Sequence, residues 1–220
     1  IRLSVKQFAD KNGLTYFDIR NQEGLLRNLM IRTSSTNDLM VLVQFYKDDI
    51  KSIKLLMEHI KTNFPKITSL LYIINQKANN TMYDQEVICY KGEDHIMEEM
   101  DGLHFKIGAK SFFQTNSEQA KVLYRKTKEL ANITADDLVY DLYTGTGTIA
   151  QYVATSAKKV VGIDSVEEGI KAAYLNAERN NIDNCTFYTG DMKEIFTDEF
   201  IAQNGTPDVI ITDPPRDGMH

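Results

Sequence analysis

Apolar runs rich in β-branched and aromatic residues alternate along this chain with stretches whose apolar positions recur every three or four residues. Leu25 to Thr33 and Leu39 to Tyr46 are two such runs, parted by the polar cluster Ser34-Ser35-Thr36-Asn37-Asp38, and they read as a hairpin. From Asp48 to Phe64, residues Ile50, Ile53, Met57, Ile60 and Phe64 share one helical face, and Pro65 ends the helix. Ser69 to Asn75, Glu86 to Tyr90 and Leu103 to Ile107 complete the strands of a small α+β unit over residues 1–110.

From residue 111 onward the rhythm changes. A helix from Asn116 places Ala120, Leu123, Tyr124, Thr127 and Leu130 at helical spacing, and strands and helices then alternate. LVYDL, KVVGID, CTFYTG and PDVIITD are short apolar strands. Between them lie a helix after Gly147, one over Val166 to Arg179, and one beginning near Asp191. Ser165 with Glu168 has the form of a capping box, and Val166, Ile170, Ala173, Tyr174 and Ala177 form the expected buried face. Residues 111–220 therefore predict a doubly wound, Rossmann-like α/β sheet with ligands outside the carboxyl ends of its strands.

Composition is that of a globular chain of two small domains: 220 residues, 42% hydrophobic and 25% charged. No apolar run reaches the roughly 18 residues that span a bilayer. The first residues lack the order of a signal peptide, so a cytoplasmic location is expected. Cys89 and Cys185, far apart, offer neither a disulfide framework nor a metal site, and both are expected to be buried thiols. His59, His95, His104 and His220 show no ligand spacing, so no metal is expected. The net charge of -6 is unevenly placed. Residues 1–115 hold 15 Lys and Arg against 14 Asp and Glu, whereas residues 116–220 hold 10 against 17. The acidity thus lies in the second half and leaves a nucleic-acid partner open for the first.

The polar residues of the second half cluster at strand ends. After the first strand comes Asp141-Leu-Tyr143-Thr-Gly145-Thr-Gly147-Thr148, where glycines permit a sharp bend and close approach of backbone to ligand. The second strand ends in Asp164, 19 residues beyond Gly145, where a carboxylate can accept both hydroxyl protons of a ribose. Two cofactors fit this spacing. NAD suits the GxGxxA pattern, with Ala150 as the third small residue and a pyrophosphate at the helix N-terminus. S-adenosylmethionine, which carries a sulfonium cation and no phosphate, suits Asp141, which would repel a pyrophosphate. The third strand ends in Gly190-Asp191, a candidate acceptor for an adenine amino group and equally a plain N-cap. The fourth runs into Asp213-Pro214-Pro215-Arg216-Asp217-Gly218, a φ-restricted turn that fixes a carboxylate. Arg216 could bind an RNA phosphate or pair with Asp217.

Asp-Pro-Pro-Arg-x-Gly, together with FFQTN (Phe112 to Asn116), DLYTGTGT, VVGID and EGLLRNLMIRT (Glu23 to Thr33), resembles the RNA uracil-5-methyltransferase family, whose bacterial members modify 23S ribosomal RNA or tRNA. The resemblance implies an incomplete class I methyltransferase sheet preceded by a central domain, with S-adenosylmethionine as cofactor and RNA, ribosomal or transfer, as partner. By motif position it puts Gln114, Tyr143, Asp164, Asp191 and Asp213 against cofactor or target base, with Gly145, Gly147 and Thr148 in the cofactor loop. Carbon 5 of uracil becomes nucleophilic once a Cys thiolate adds to carbon 6, after which a base removes the carbon-5 proton. The family's Cys lies in an SCNP-type motif some way after DPPR and its Glu base further on, so both are expected beyond His220. The chain then reads as a fragment without a catalytic residue of its own. An RNA-binding β-barrel and iron–sulfur cysteines are likewise expected, if present, ahead of Ile1. An NAD-dependent oxidoreductase and a non-catalytic RNA-binding assembly factor are the alternatives.

Overall fold

A computed structural model describes the chain except for Tyr83, Pro215, Arg216, Asp217, Met219 and His220. It divides into two compact units, Ile1–Met97 with Gly108–Lys110, and Glu98–Ile107 with Ser111–His220. Residues 98–107, which the pattern groups with the first domain, thus cluster with the second.

The first unit opens with α1 (Arg2–Lys11), a helix the apolar pattern does not announce because only Val5 and Ala9 of it are buried. β1 (Leu26–Thr33) and β2 (Leu39–Phe45) form the expected antiparallel hairpin, and β3 (Ser69–Ile74) lies parallel to β2 after the crossover helix α2 (Ile50–Asn63). β4 (Ile88–Gly92) closes the sheet in the order β1-β2-β3-β4. Asp49 starts α2 by accepting from the Ser52 amide at 3.2 Å. Its buried stripe is Ile53, Leu56, Met57 and Ile60, each worth roughly 1.5–3 kcal/mol of burial. Ile50, expected on that face, sits in the first turn and is 73% exposed. β4 begins two residues later than its apolar run. Cys89 on it is exposed, contrary to the buried thiol expected, because β4 is an edge strand.

In the second unit, four parallel strands stand in the order β10-β7-β8-β9. They are β7 (Leu138–Leu142), β8 (Lys159–Asp164), β9 (Cys185–Thr189) and β10 (Val209–Thr212). α4 (Thr148–Ala154) and α5 (Glu167–Arg179) cover one face around Val139, Val153, Ala173 and Phe187. The short helices α6 (Met192–Ile195) and α7 (Asp198–Asn204), where one was expected, help cover the other around Tyr140, Val161, Ile163 and Phe200. This is the doubly wound α/β class read from the sequence, and the order reverses beside β7, the strand that comes first.

β5 (His95–Met100) and β6 (Leu103–Gly108) form a hairpin turned by Asp101 and Gly102, both at positive φ (49° and 86°). The pattern misses β5 because its inward positions include Glu98, a carboxylate that is buried yet accepts from Ser117 Oγ at 2.6 Å. Ser117 opens α3 (Ser117–Ala131), capped by Asn116 accepting from the Gln119 amide. Only Ala120 and Tyr124 of α3 are buried. Of its expected face, Leu123 and Leu130 are exposed, Leu130 at 82%, and Thr127 is half-buried. The Ser165–Glu168 capping box does not form: α5 starts after Val166, whose amide donates to Asp164 Oδ1 instead. Its buried stripe keeps Ile170, Ala173 and Ala177 but takes Asn176 in place of Val166 and Tyr174. Tyr174 stands half exposed with its hydroxyl donating to the Phe187 carbonyl.

Candidate functional site

The loop after β7 is held from several sides. Tyr143, at φ 66°, is a non-glycine residue in the left-handed region, a conformation costing roughly 1–2 kcal/mol. The Thr144 amide donates to the Ile163 carbonyl, and Thr144 Oγ1 donates to Asp141 Oδ2 at 2.5 Å. The Gly145 amide donates to Asp164 Oδ2 at 2.8 Å, and Asn176 Nδ2 reaches the Thr146 carbonyl at 3.4 Å. Gly169 of α5 lets that helix touch the loop, since a Cβ there would lie 3.0 Å from the Gly145 carbonyl oxygen.

The two loop glycines do different jobs. Both have positive φ, 55° at Gly145 and 75° at Gly147. A Cβ at Gly147 would stand 2.8 Å from Ala173 Cβ and 3.0 Å from the Phe187 ring, so its bareness serves packing. A Cβ at Gly145 would meet nothing within 4 Å, so its bareness faces open space. Thr148, expected in the loop's binding set, is buried at the start of α4 with its hydroxyl 3.2 Å from that of Thr146.

The strand-end acids differ in setting. Each Asp164 oxygen accepts one backbone N–H, from Gly145 and from Val166, which fixes the carboxylate while leaving acceptor capacity. Asp191 caps α6 by accepting from the Lys193 amide at 2.9 Å, so its plain structural role is real. It also lines a depression with Tyr143, Ser165, Gly190, Met192, Lys193 and Gly218. Gln114 Nε2 stands 3.5 Å from Asp213 Oδ2, bringing together two residues 99 positions apart. Pro215, Arg216 and Asp217 lie outside the described residues, so the structure carries the motif only to Pro214.

Asp141 is completely buried. Its Oδ2 takes the Thr144 hydroxyl and the Ala150 amide, and its Oδ1 has no partner. Burial chiefly, with the nearby charges of Asp213 and Asp164 adding to it, pushes this carboxyl up to about 7. Tyr124, on α3, is pushed up by burial and by the same acids, Asp213 and Asp141. Cys185 is likewise pushed up to about 12 by burial. It opens β9, opposite Val160 and away from the carboxyl ends.

Gly169 and Asn176 escape the sequence reading. The signal for Asn176 was present, a polar residue on the same helical face as Ile170, Ala173 and Ala177. Among the described residues no group of His, Cys, Asp and Glu could hold a metal, and no helix is long and apolar enough to cross a membrane.

The donor set fits S-adenosylmethionine and not a dinucleotide. Four carboxylates border the loop and one of them keeps an orphaned buried oxygen, so among the described residues negative charge outweighs the cation of the depression, Lys193. The Ala150 amide, which a pyrophosphate at the start of α4 would use, already donates to Asp141.

The comparisons agree with this class. Residues 133–215 match a family described as a methyltransferase domain. The whole chain is 56% identical to an uncharacterized RNA methyltransferase of Porphyromonas gingivalis and 55% identical to one of Bacteroides thetaiotaomicron, covering 48% and 49% of their lengths. It resembles the crystal structure of Pyrococcus abyssi tRNA (uracil-54, C5)-methyltransferase in complex with S-adenosyl-L-homocysteine, with a TM-score of 0.77 and 30% identity. That match covers 99% of this chain and 50% of the other. The fold is that of a class I S-adenosylmethionine-dependent methyltransferase domain. The chain spans about half the length of the curated relatives it matches.

Proposed function

We propose that this chain is the central and cofactor-binding part of an S-adenosylmethionine-dependent RNA methyltransferase acting on carbon 5 of a uridine. The observation that carries the reading is the loop at Gly145, with open space over that glycine, tied to Asp164 and ringed by acids, with the Ala150 amide at the start of α4 already committed to Asp141. The named relatives and the uracil-methylating structure support it, as does the DPPR motif.

Bound here, S-adenosylmethionine supplies an electrophilic methyl group. Asp164 accepts from its ribose hydroxyls, and Asp191 with Tyr143 borders its adenine. Gly145 lets the backbone approach, while Gly147 and Thr148 set the turn that holds the loop. Gln114 and Asp213, in contact with each other, stand between cofactor and target base, where an amide and a carboxylate can read the polar edge of a pyrimidine. Neither cysteine suits the adduct-forming thiolate: Cys185 is protonated by burial at the far end of its strand, and Cys89 belongs to the first unit. The nucleophile and proton-accepting Glu are assigned to sequence after His220. A uridine in a loop, splayed from its stack, presents the ring face that this addition needs.

The test is twofold. Calorimetry should show S-adenosylhomocysteine binding and no NAD binding. The full-length protein should then convert uridine to 5-methyluridine in ribosomal RNA or tRNA, read by nucleoside mass spectrometry. NAD binding without S-adenosylhomocysteine binding refutes the cofactor, and methylation elsewhere than carbon 5 refutes the target.

A further inference from the structure

We infer that Asp141 is the residue by which this site tells its positively charged methyl donor from the neutral product, losing a proton to solvent when the sulfonium arrives and regaining it when the charge has gone. The inference rests on the cofactor reading above.

Geometry singles out this residue. In the sheet Asp141 stands opposite Gly162 of β8 and Ile211 of β10. Asp164 lies two residues further along β8, hence on the same face and one step nearer the carboxyl edge, and Asp213 directly follows the end of β10, near enough for its charge to act on Asp141. Three carboxylates from adjacent strands therefore converge beneath the glycine loop. Among the described residues the groups acting on Asp141 are Asp164 from β8, Asp213 beyond β10, the Thr144 hydroxyl and the Ala150 amide of α4. Tyr124 of α3 and Cys185 of β9 also feel its charge. None is a cation. The unpartnered Oδ1 is the buried group with most to gain from one.

Burial, uncompensated by any cation among the described residues, holds the carboxyl near neutrality, so a sulfonium brought to the loop above it favours its ionised form. A thioether does not. The plainer role of Asp141, accepting from Ala150 at the start of α4, is separable, because an asparagine keeps an acceptor oxygen and loses the charge.

The experiment is calorimetric titration of the full-length protein and its Asp141→Asn variant with S-adenosylmethionine and with S-adenosylhomocysteine. Running each in two buffers of different ionisation enthalpy at pH 7 counts protons. The wild type should release roughly half a proton more than the variant on binding S-adenosylmethionine, with no such excess for S-adenosylhomocysteine. Comparing two proteins with one ligand cancels the ligand's own titration. From pH 6 to 8 the wild type's preference for the donor over the product should rise several-fold relative to that of the variant. Thr144→Ala, which removes a hydrogen bond to the ionised form, should move the midpoint of that rise upward and carries the test if Asp141→Asn does not fold. Equal proton release, or an unmoved midpoint, overturns the inference and leaves the cofactor reading standing. Binding of neither ligand overturns both.

Discussion

The Gly145 amide donates to Asp164 Oδ2 at 2.8 Å, so the carboxylate that ends β8 also holds the loop that follows β7. The second Asp164 oxygen accepts from Val166 at the head of α5. One side chain thus links loop, strand and helix, and the proposed cofactor reading puts the ribose there.

Asp164→Ala should therefore weaken S-adenosylhomocysteine binding by at least about 100-fold while costing only about 1.5–3 kcal/mol of stability, the range for a hydrogen bond to a charged group. Calorimetry and urea unfolding measure the two separately. Unchanged affinity would remove Asp164 from the site.

The loop glycines should separate in the same assays. Gly147→Ala drives a methyl group into Ala173 and Phe187 and should destabilise by about 1–3 kcal/mol beyond its backbone strain. Gly145→Ala has room and should lose about 1 kcal/mol from its positive φ alone, yet lower cofactor affinity because the methyl enters the open space. A variant pair with the opposite ordering would contradict the division of labour between them.

Much of this organisation is legible in the residues themselves. The four parallel strands, the loop between Asp141 and Thr148 and the acid 19 residues beyond Gly145 announce themselves because apolar runs and glycine spacing are local properties. What escapes is set by distant partners. Glu98 disguises β5 since its partner, Ser117, lies 19 residues on. Ser165 promises a cap that does not form, because the Val166 amide turns to Asp164 instead. Thr148 belongs to the loop by spacing but turns into the protein, and Ile50, Leu123 and Leu130 match a helical period yet face solvent. Periodicity states which residues share a face, not whether anything covers it.

Asn176 should prove costly to replace. Its Oδ1 accepts from the Lys106 amide of β6 at 2.8 Å while its Nδ2 reaches the Thr146 carbonyl, and the side chain is fully buried. Asn180, one turn on, exchanges hydrogen bonds with the His104 backbone, so α5 docks β6 through two amides. Asn176→Ala strands a buried donor and acceptor and should destabilise by about 2–4 kcal/mol. Hydrogen exchange at the Lys106 amide should accelerate; protection equal to wild type would exclude this docking.

Asp101 gives an acid-side prediction. It accepts from Arg125 Nε at 2.8 Å and also holds Arg125 Nη2 and the Tyr152 hydroxyl, and these partners bring its carboxyl down to about 2. A carboxylate depressed by folding contributes stability above its unfolded value of 3.8 that is lost as pH falls through the folded value. Wild type should lose stability relative to Asp101→Asn between about pH 4 and pH 2, followed by urea midpoints. Parallel profiles would mean that the contact is not made in solution.

Asp141 predicts the opposite sign. Burial raises its carboxyl from 3.8 to about 7, so the folded state binds a proton there that the unfolded state has released. Its contribution is complete below pH 3.8 and declines as pH rises towards about 7. Asp141→Asn, which cannot ionise, should lack this decline. Relative to the variant, wild type should be least stable near pH 8 and regain ground as pH falls to 5, in the absence of ligand. Saturating S-adenosylmethionine should shrink that difference, because the sulfonium supplies the charge the ionised group lacks, whereas S-adenosylhomocysteine should not. Thermal or urea unfolding across this range, with and without each ligand, measures the effect, and a wild-type profile parallel to that of the variant would mean that Asp141 ionises as readily folded as unfolded.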